Sequence, residues 1–128
     1  HSSTKYTAIL VLIRCTLARP EQIATASHSD GRLLQIRLFL DCTYDFIVVY
    51  QYAWNASKGR DQLLDNRAKI WNSLQQLLNH VPQQHQMVLM GDFNTTLRFD
   101  PPHINSHDAR ASLNTHPDRD LLQQLVKA

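Results

Sequence analysis

Asp92 and Asn94 stand two residues apart in the run Met87-Val88-Leu89-Met90-Gly91-Asp92-Phe93-Asn94-Thr95. The four apolar residues ahead of Gly91 read as a buried strand that Gly91 breaks. Asp92 then falls just past the strand's carboxyl end. A carboxylate held there by rigid backbone, at a partly dried edge, gains most from low dielectric as a water-activating or metal-contacting group. Gly91 lets the chain turn sharply without a Cβ clash. If the backbone stays extended, Asn94 projects to the same side as Asp92, and Phe93 points into the core. An acceptor and an amide donor would then face one point, which suits a phosphate and an attacking water. Gly, Asp and Asn are also ordinary turn residues, so these four letters alone name no activity.

Such groups need elements to hold them, and the hydropathy pattern supplies a set. Tyr6 to Arg14 is a mostly continuous apolar run, predicted to be a strand covered on both faces. Residues 15–31 are polar, contain Pro20 and finish in Asp30-Gly31, which predicts a loop ending in a tight turn. Leu34, Ile36, Leu38 and Leu40 alternate with Gln35, Arg37 and Phe39 at a period of two. After the short link Asp41 to Tyr44, Asp45 leads into Phe46 to Tyr52, rich in β-branched and aromatic residues. These two segments are predicted to pair as an antiparallel hairpin. Leu63, Leu64, Arg67, Ile70, Trp71, Leu74, Leu77 and Leu78 recur at steps of three and four, which predicts a helix over about 60–80. Asn79, His80 and Pro82 stop it. A last helix, about 118–127, should carry Leu121, Leu122 and Leu125 on one face. The sum is an α+β chain with no internal repeat and no low-complexity linker.

Taken in order, Phe46-Ile47-Val48-Val49-Tyr50-Gln51-Tyr52-Ala53-Trp54-Asn55, a helix with Arg67 and Trp71, and a strand ending in Gly91-Asp92-Phe93-Asn94 resemble the middle of the endonuclease/exonuclease/phosphatase family. That family includes deoxyribonuclease I, apurinic/apyrimidinic endonucleases and the endonuclease domains of non-LTR retrotransposon reverse-transcriptase polyproteins. The retrotransposon type is the most similar. Residues from about 31 to 97 carry the likeness, and 1–30 and 98–128 share only its texture. The resemblance implies an α/β sandwich, an incomplete four-layer deoxyribonuclease I-like fold with mostly antiparallel strands. Residues 1–128 would be a single, truncated middle portion of that domain. It also implies roles. Asp92 would orient and deprotonate the attacking water and touch a second metal, and Asn94 would hold the scissile phosphate beside that metal. Tyr52 would hydrogen-bond a phosphate oxygen as charge develops, unless it is simply a half-buried strand tyrosine. Trp54 stands where the family commonly has proline, which leaves the shape of that loop open. The implied cofactor is Mg²⁺ or Mn²⁺, and the implied partner is DNA.

Two parts of the family pattern are missing. One is a metal-holding glutamate in a Gln-Glu pair near the end of an early strand, and the other is a carboxyl-terminal Ser-Asp-His. Glu21 follows a proline in a polar loop, with Gln22 after it, and is rejected as that ligand. His107-Asp108 reverses the expected order and lies too early; His103, His107 and His116 read as solvated loop residues. Mg²⁺ binds through one or two carboxylates and otherwise keeps water or substrate oxygens, so Asp92 and Asn94 alone would hold it poorly. The chain alone is expected to be inactive or nearly so. Strands missing at both ends would leave an open sheet edge and an uncovered apolar face, prone to self-association.

Composition sets bounds around this reading. At 128 residues, 43% hydrophobic and 19% charged, the chain sits in the globular range. No apolar run is long enough to span a bilayer, and no signal peptide is expected. The first residue is His, which fits a sequence cut from something longer. A net charge of +2 is compatible with a polyanionic partner without being histone-like. Arg32, Arg37, Lys58, Arg60, Arg67 and Lys69 could follow a phosphate backbone, although Arg67 and Lys69 read more simply as solvated helix positions. Cys15 and Cys42 read as reduced thiols of an intracellular protein, nuclear if retroelement-derived. No obligate protein partner is implied. Two other readings stay open: a non-catalytic nucleic-acid-binding remnant, and a phosphatase or phospholipase member of the same family.

Overall fold

The computed structural model describes residues 8–54, 59–95 and 118–127. Two compact units appear, residues 1–92 and residues 93–128. The first holds a four-stranded sheet in the order β1-β2-β3-β4, formed by β1 (Ile23–His28), β2 (Leu33–Phe39), β3 (Thr43–Tyr50) and β4 (Gln86–Asp92). Helix α1 (Arg60–His80) joins β3 to β4. The first two pairings are antiparallel, and β3 and β4 run parallel. A parallel neighbour needs a crossover connection, and α1 is that crossover. The chain is mixed α+β, as the hydropathy pattern predicts.

The β2–β3 hairpin follows its alternation. Leu33, Ile47 and Val49 point to one face and Ile36 and Leu38 to the other, all of them buried. Helix α1 covers the first face with a buried stripe of Leu63, Arg67, Ile70, Trp71 and Leu74. It ends at His80 because Val81, the residue before Pro82, is extended at φ −70° and ψ 124°. On the opposite face, Ala18, Ile36 and Leu38 form a small core with Ile13, Ile23, Leu34 and Phe46 packed against it. Beside that core lies an apolar cavity of about 540 Å³, lined by Val11 to Arg14, Ile36, Phe46, Val48 and Met90 among others.

Three expectations are corrected here. Residues 8–14 of the apolar Tyr6 to Arg14 run form no strand, and Leu10 and Leu12 are 83% and 86% exposed. The place beside β2 is taken instead by Ile23-Ala24-Thr25-Ala26-Ser27-His28, inside the segment expected to be a loop. After Ile23, which packs on the core, its residues are small or polar, as suits an edge strand with five of its six residues exposed. The turn joining it to β2 uses left-handed backbone at Ser29, Asp30 and Gly31 (φ 51°, 54° and 79°), so the Asp30-Gly31 signal was a hairpin turn. The third correction concerns β4. It is the sheet's other edge, with Met87, Val88 and Met90 all more than a third exposed, and it runs through Gly91 to Asp92.

The second unit contains α2 (Arg119–Lys127), close to the predicted helix. Leu122 is buried and Leu121 is 44% exposed, so the two do not share a buried face. Residues 96–117, with His103, His107, Asp108 and His116, lie outside the described residues, as does Lys58. Among the described residues no helix is long and apolar enough to cross a membrane. Cys15 and Cys42 are free and exposed.

Candidate functional site

The register of the sheet brings three chemically useful residues into one row. Tyr50 and Asp92 are partners across β3 and β4. On the other side of Tyr50, its N–H donates to the Arg32 carbonyl at 2.8 Å, and an Arg32 Nη1–H donates to the Tyr50 carbonyl at 3.2 Å. Arg32, Tyr50 and Asp92 therefore stand abreast at the carboxyl end of β3 and β4. With neighbouring strands about 4.8 Å apart, the row is roughly 10 Å wide. Asp92 and Tyr50 are exposed and Arg32 is half-buried, so water and solutes reach all three.

Tyr52 joins the same corner. The Gln51 N–H donates to the Asp92 carbonyl at 2.8 Å, which ties the segment after β3 to the end of β4. The Arg32 guanidinium lies 3.5 Å from the centre of the Tyr52 ring and 5.1 Å from that of Tyr50. Such stacking fixes a flat cation without removing its charge. Of the predicted site residues, Tyr52 and Asp92 are thus brought to one end of one sheet. Asn94 belongs to the second unit. Its φ of 46° takes it out of extended backbone, so the premise of an extended chain from Asp92 to Asn94 does not hold. Asparagine is among the few residues that adopt left-handed backbone readily.

The loop that presents Tyr52 is held from beneath by a residue expected to be solvated. Arg67 is 1% exposed. Its guanidinium donates to the Tyr52 carbonyl and lies 4.4 Å from the Trp54 ring centre. Buried Gln51 completes the arrangement: its Nε2 donates to the Arg67 carbonyl at 3.2 Å, and its Oε1 accepts the Tyr52 N–H at 2.9 Å. Trp54 thus meets a cation where the family likeness has proline. Arg67→Met keeps most of the buried stem but loses the donor and the stack. It is expected to cost about 2 kcal/mol in urea unfolding. A loss below about 0.5 kcal/mol would mean that the loop does not depend on Arg67.

Arg37 is engaged elsewhere. Arg37 Nε donates at 2.8 Å to Asp45 Oδ1, which also accepts from Gln35 Nε2 at 3.0 Å, and His85 Nδ1 lies 2.6 Å from Asp45 Oδ2. Asp45 is fully buried. Burial alone would push its pKa up. The hydrogen bonds from Arg37, His85 and Gln35, with the Arg37 charge, outweigh that and hold the carboxyl below the ordinary aspartate value. This cluster sits at the other end of the sheet, since Asp45 pairs with Met87 at the start of β4. Glu21 lies toward that far end as well, in the short turn before β1 and paired with Arg19 at 3.0 Å.

No model of a known family, no curated protein and no solved structure matches the chain. Among the described residues, no three His, Cys, Asp or Glu side chains are grouped so as to hold a metal ion. Asp92 offers the row one carboxylate, where Mg²⁺ takes one or two and otherwise keeps water or substrate oxygens. The row of Arg32, Tyr50 and Asp92, flanked by Tyr52, can do something simpler. It offers a cation, a phenol and a carboxylate in one solvent-reached row.

Proposed function

We propose that these residues are the middle portion of a phosphodiesterase domain of the endonuclease/exonuclease/phosphatase type, most similar to the DNA endonucleases of retroelements. In this reading the chain holds a phosphodiester backbone at the carboxyl end of β3 and β4 and does not hydrolyse it alone. The observation that carries the reading is the row Arg32–Tyr50–Asp92 with Tyr52 stacked above it, at the end of a parallel strand pair. Ligand sites in mixed sheets recur at the carboxyl ends of strands, where backbone is rigid and side chains meet solvent. The apolar face beside Ile36, Phe46, Val48 and Met90 supports the fold half of the proposal. It is the face that the second sheet of a deoxyribonuclease I-like sandwich would cover.

The test has two readouts on residues 1–128. Fluorescence anisotropy with a labelled duplex oligonucleotide should show binding that weakens about tenfold between 50 and 200 mM salt, as two phosphate contacts would give. Nicking of supercoiled plasmid in Mg²⁺ should stay at the buffer level for both the chain and Asp92→Ala. Binding without nicking is the expected result. Nicking that vanishes in Asp92→Ala would overturn the inactivity while supporting the phosphodiesterase assignment. Absence of any salt-dependent DNA binding would sink the nucleic-acid reading.

A further inference from the structure

Of the cations named above, the sheet register places Arg32 at the candidate site. Three contacts fix its guanidinium there: the Nη1–H donated to the Tyr50 carbonyl at 3.2 Å, the Tyr52 ring at 3.5 Å and the Tyr50 ring at 5.1 Å. A guanidinium held flat in this way has lost most of its rotamer freedom before any ligand arrives, so binding does not have to supply that ordering. Its planar fork also matches two phosphate oxygens, which a lysine cannot do. The Tyr52 ring face is the platform for this cation. The sequence likeness gives Tyr52 a different task, donating its hydroxyl to the phosphate.

We propose that Arg32 is the phosphate-binding cation of this site, and that Tyr52 serves it through the face of its ring and not through its hydroxyl. The ligand class is the phosphodiester of a polynucleotide. This inference rests on the nucleic-acid reading above, and the experiment keeps the two apart.

The probe is the same labelled duplex, titrated at several salt concentrations against the whole chain and four variants, each checked for a cooperative melt. Arg32→Gln should weaken binding roughly tenfold at 100 mM salt and lower the steepness of the salt dependence by about one unit. Lys69→Gln removes the same charge from an exposed helix position and should change affinity less than twofold. Tyr52→Phe keeps the ring and should lose far less affinity than Tyr52→Leu. Tyr52→Leu removes the platform and should behave like Arg32→Gln. A hydroxyl role for Tyr52 would level the last pair, with Tyr52→Phe as weak as Tyr52→Leu, and would overturn the assignment. So would an Arg32→Gln chain that binds with parental affinity and salt dependence, while the parent's own binding leaves the nucleic-acid reading standing. If Arg32→Gln does not fold, the Tyr52 pair decides. A parent chain that binds no DNA at all overturns both proposals.

Discussion

Gly91→Ala is expected to lose at least about 4 kcal/mol of stability, the range reserved for severe backbone or core damage. A Cβ built on Gly91 would stand 2.0 Å from the Val49 carbonyl oxygen and 2.7 Å from the Val49 nitrogen. Both obstacles are backbone atoms of β3, so no side chain can swing aside. The φ of Gly91 is 139°, where L-residues are rare, which adds strain even if the strands separate. Against a typical total stability of about 5–15 kcal/mol, such a loss would detach β4 or unfold the unit. Gly59→Ala, at a position with nothing within 4 Å of the added carbon, is the control and should cost under about 1 kcal/mol. Urea unfolding of the two variants reads the difference directly. A Gly91→Ala chain within 1 kcal/mol of the parent would mean that β3 and β4 do not approach this closely. Asp92 would then lose its fixed place beside Tyr50.

Gly91 also marks where the sequence could be read and where it could not. A glycine before Asp92 reads naturally as a strand breaker, yet β4 continues through it. The glycine answers to a neighbour 42 residues away, not to a turn. The hairpin of β2 and β3 and the helix α1 were legible because their periods of two and 3.6 are local properties of the chain. The exposed 8–14 run and strand β1 were not. Apolarity states a wish for burial without saying which sheet edge is vacant, and an edge strand made of Ala, Thr and Ser carries no hydrophobic signal. At the site, the carboxylate of Asp92 was readable from its position after a hydrophobic run. Arg32 could be named only as one cation among six, because its selection depends on Tyr50 and Tyr52 across a strand pair. Arg67 stood in the apolar stripe of its own helix, and that placement was the available sign that it would be buried. The pairing of Asp45 with His85 spans 40 residues and has no signature in either segment.

That pairing carries the second large effect. Asp45→Ala is expected to cost about 3 kcal/mol at pH 7. It removes a buried charge and leaves Gln35, Arg37 and His85 without their common acceptor. Arg37 keeps some access to water, which holds the estimate at the lower end for a broken buried pair. The same carboxylate sets a pH dependence whose sign follows from its lowered pKa. In the unfolded chain it titrates near an ordinary aspartate, about 3.9, and in the folded chain lower. The unfolded state therefore binds the proton first as pH falls. Stability from this group is fully present above about pH 4 and drains away as pH drops through the folded value. The gap between the parent and Asp45→Ala chains in urea unfolding should narrow as pH falls below about 4. A gap that widens on acidification would mean that Asp45 is protonated in the folded chain. The bonds from Arg37 and His85 would then not overcome the cost of burying its charge. Because Asp45 pairs with Met87 and His85 leads into β4, this network fixes where β4 begins, as Gly91 fixes how closely it runs. Loss of either should loosen the hold of β3 on β4, at its start for Asp45→Ala and beside Asp92 for Gly91→Ala.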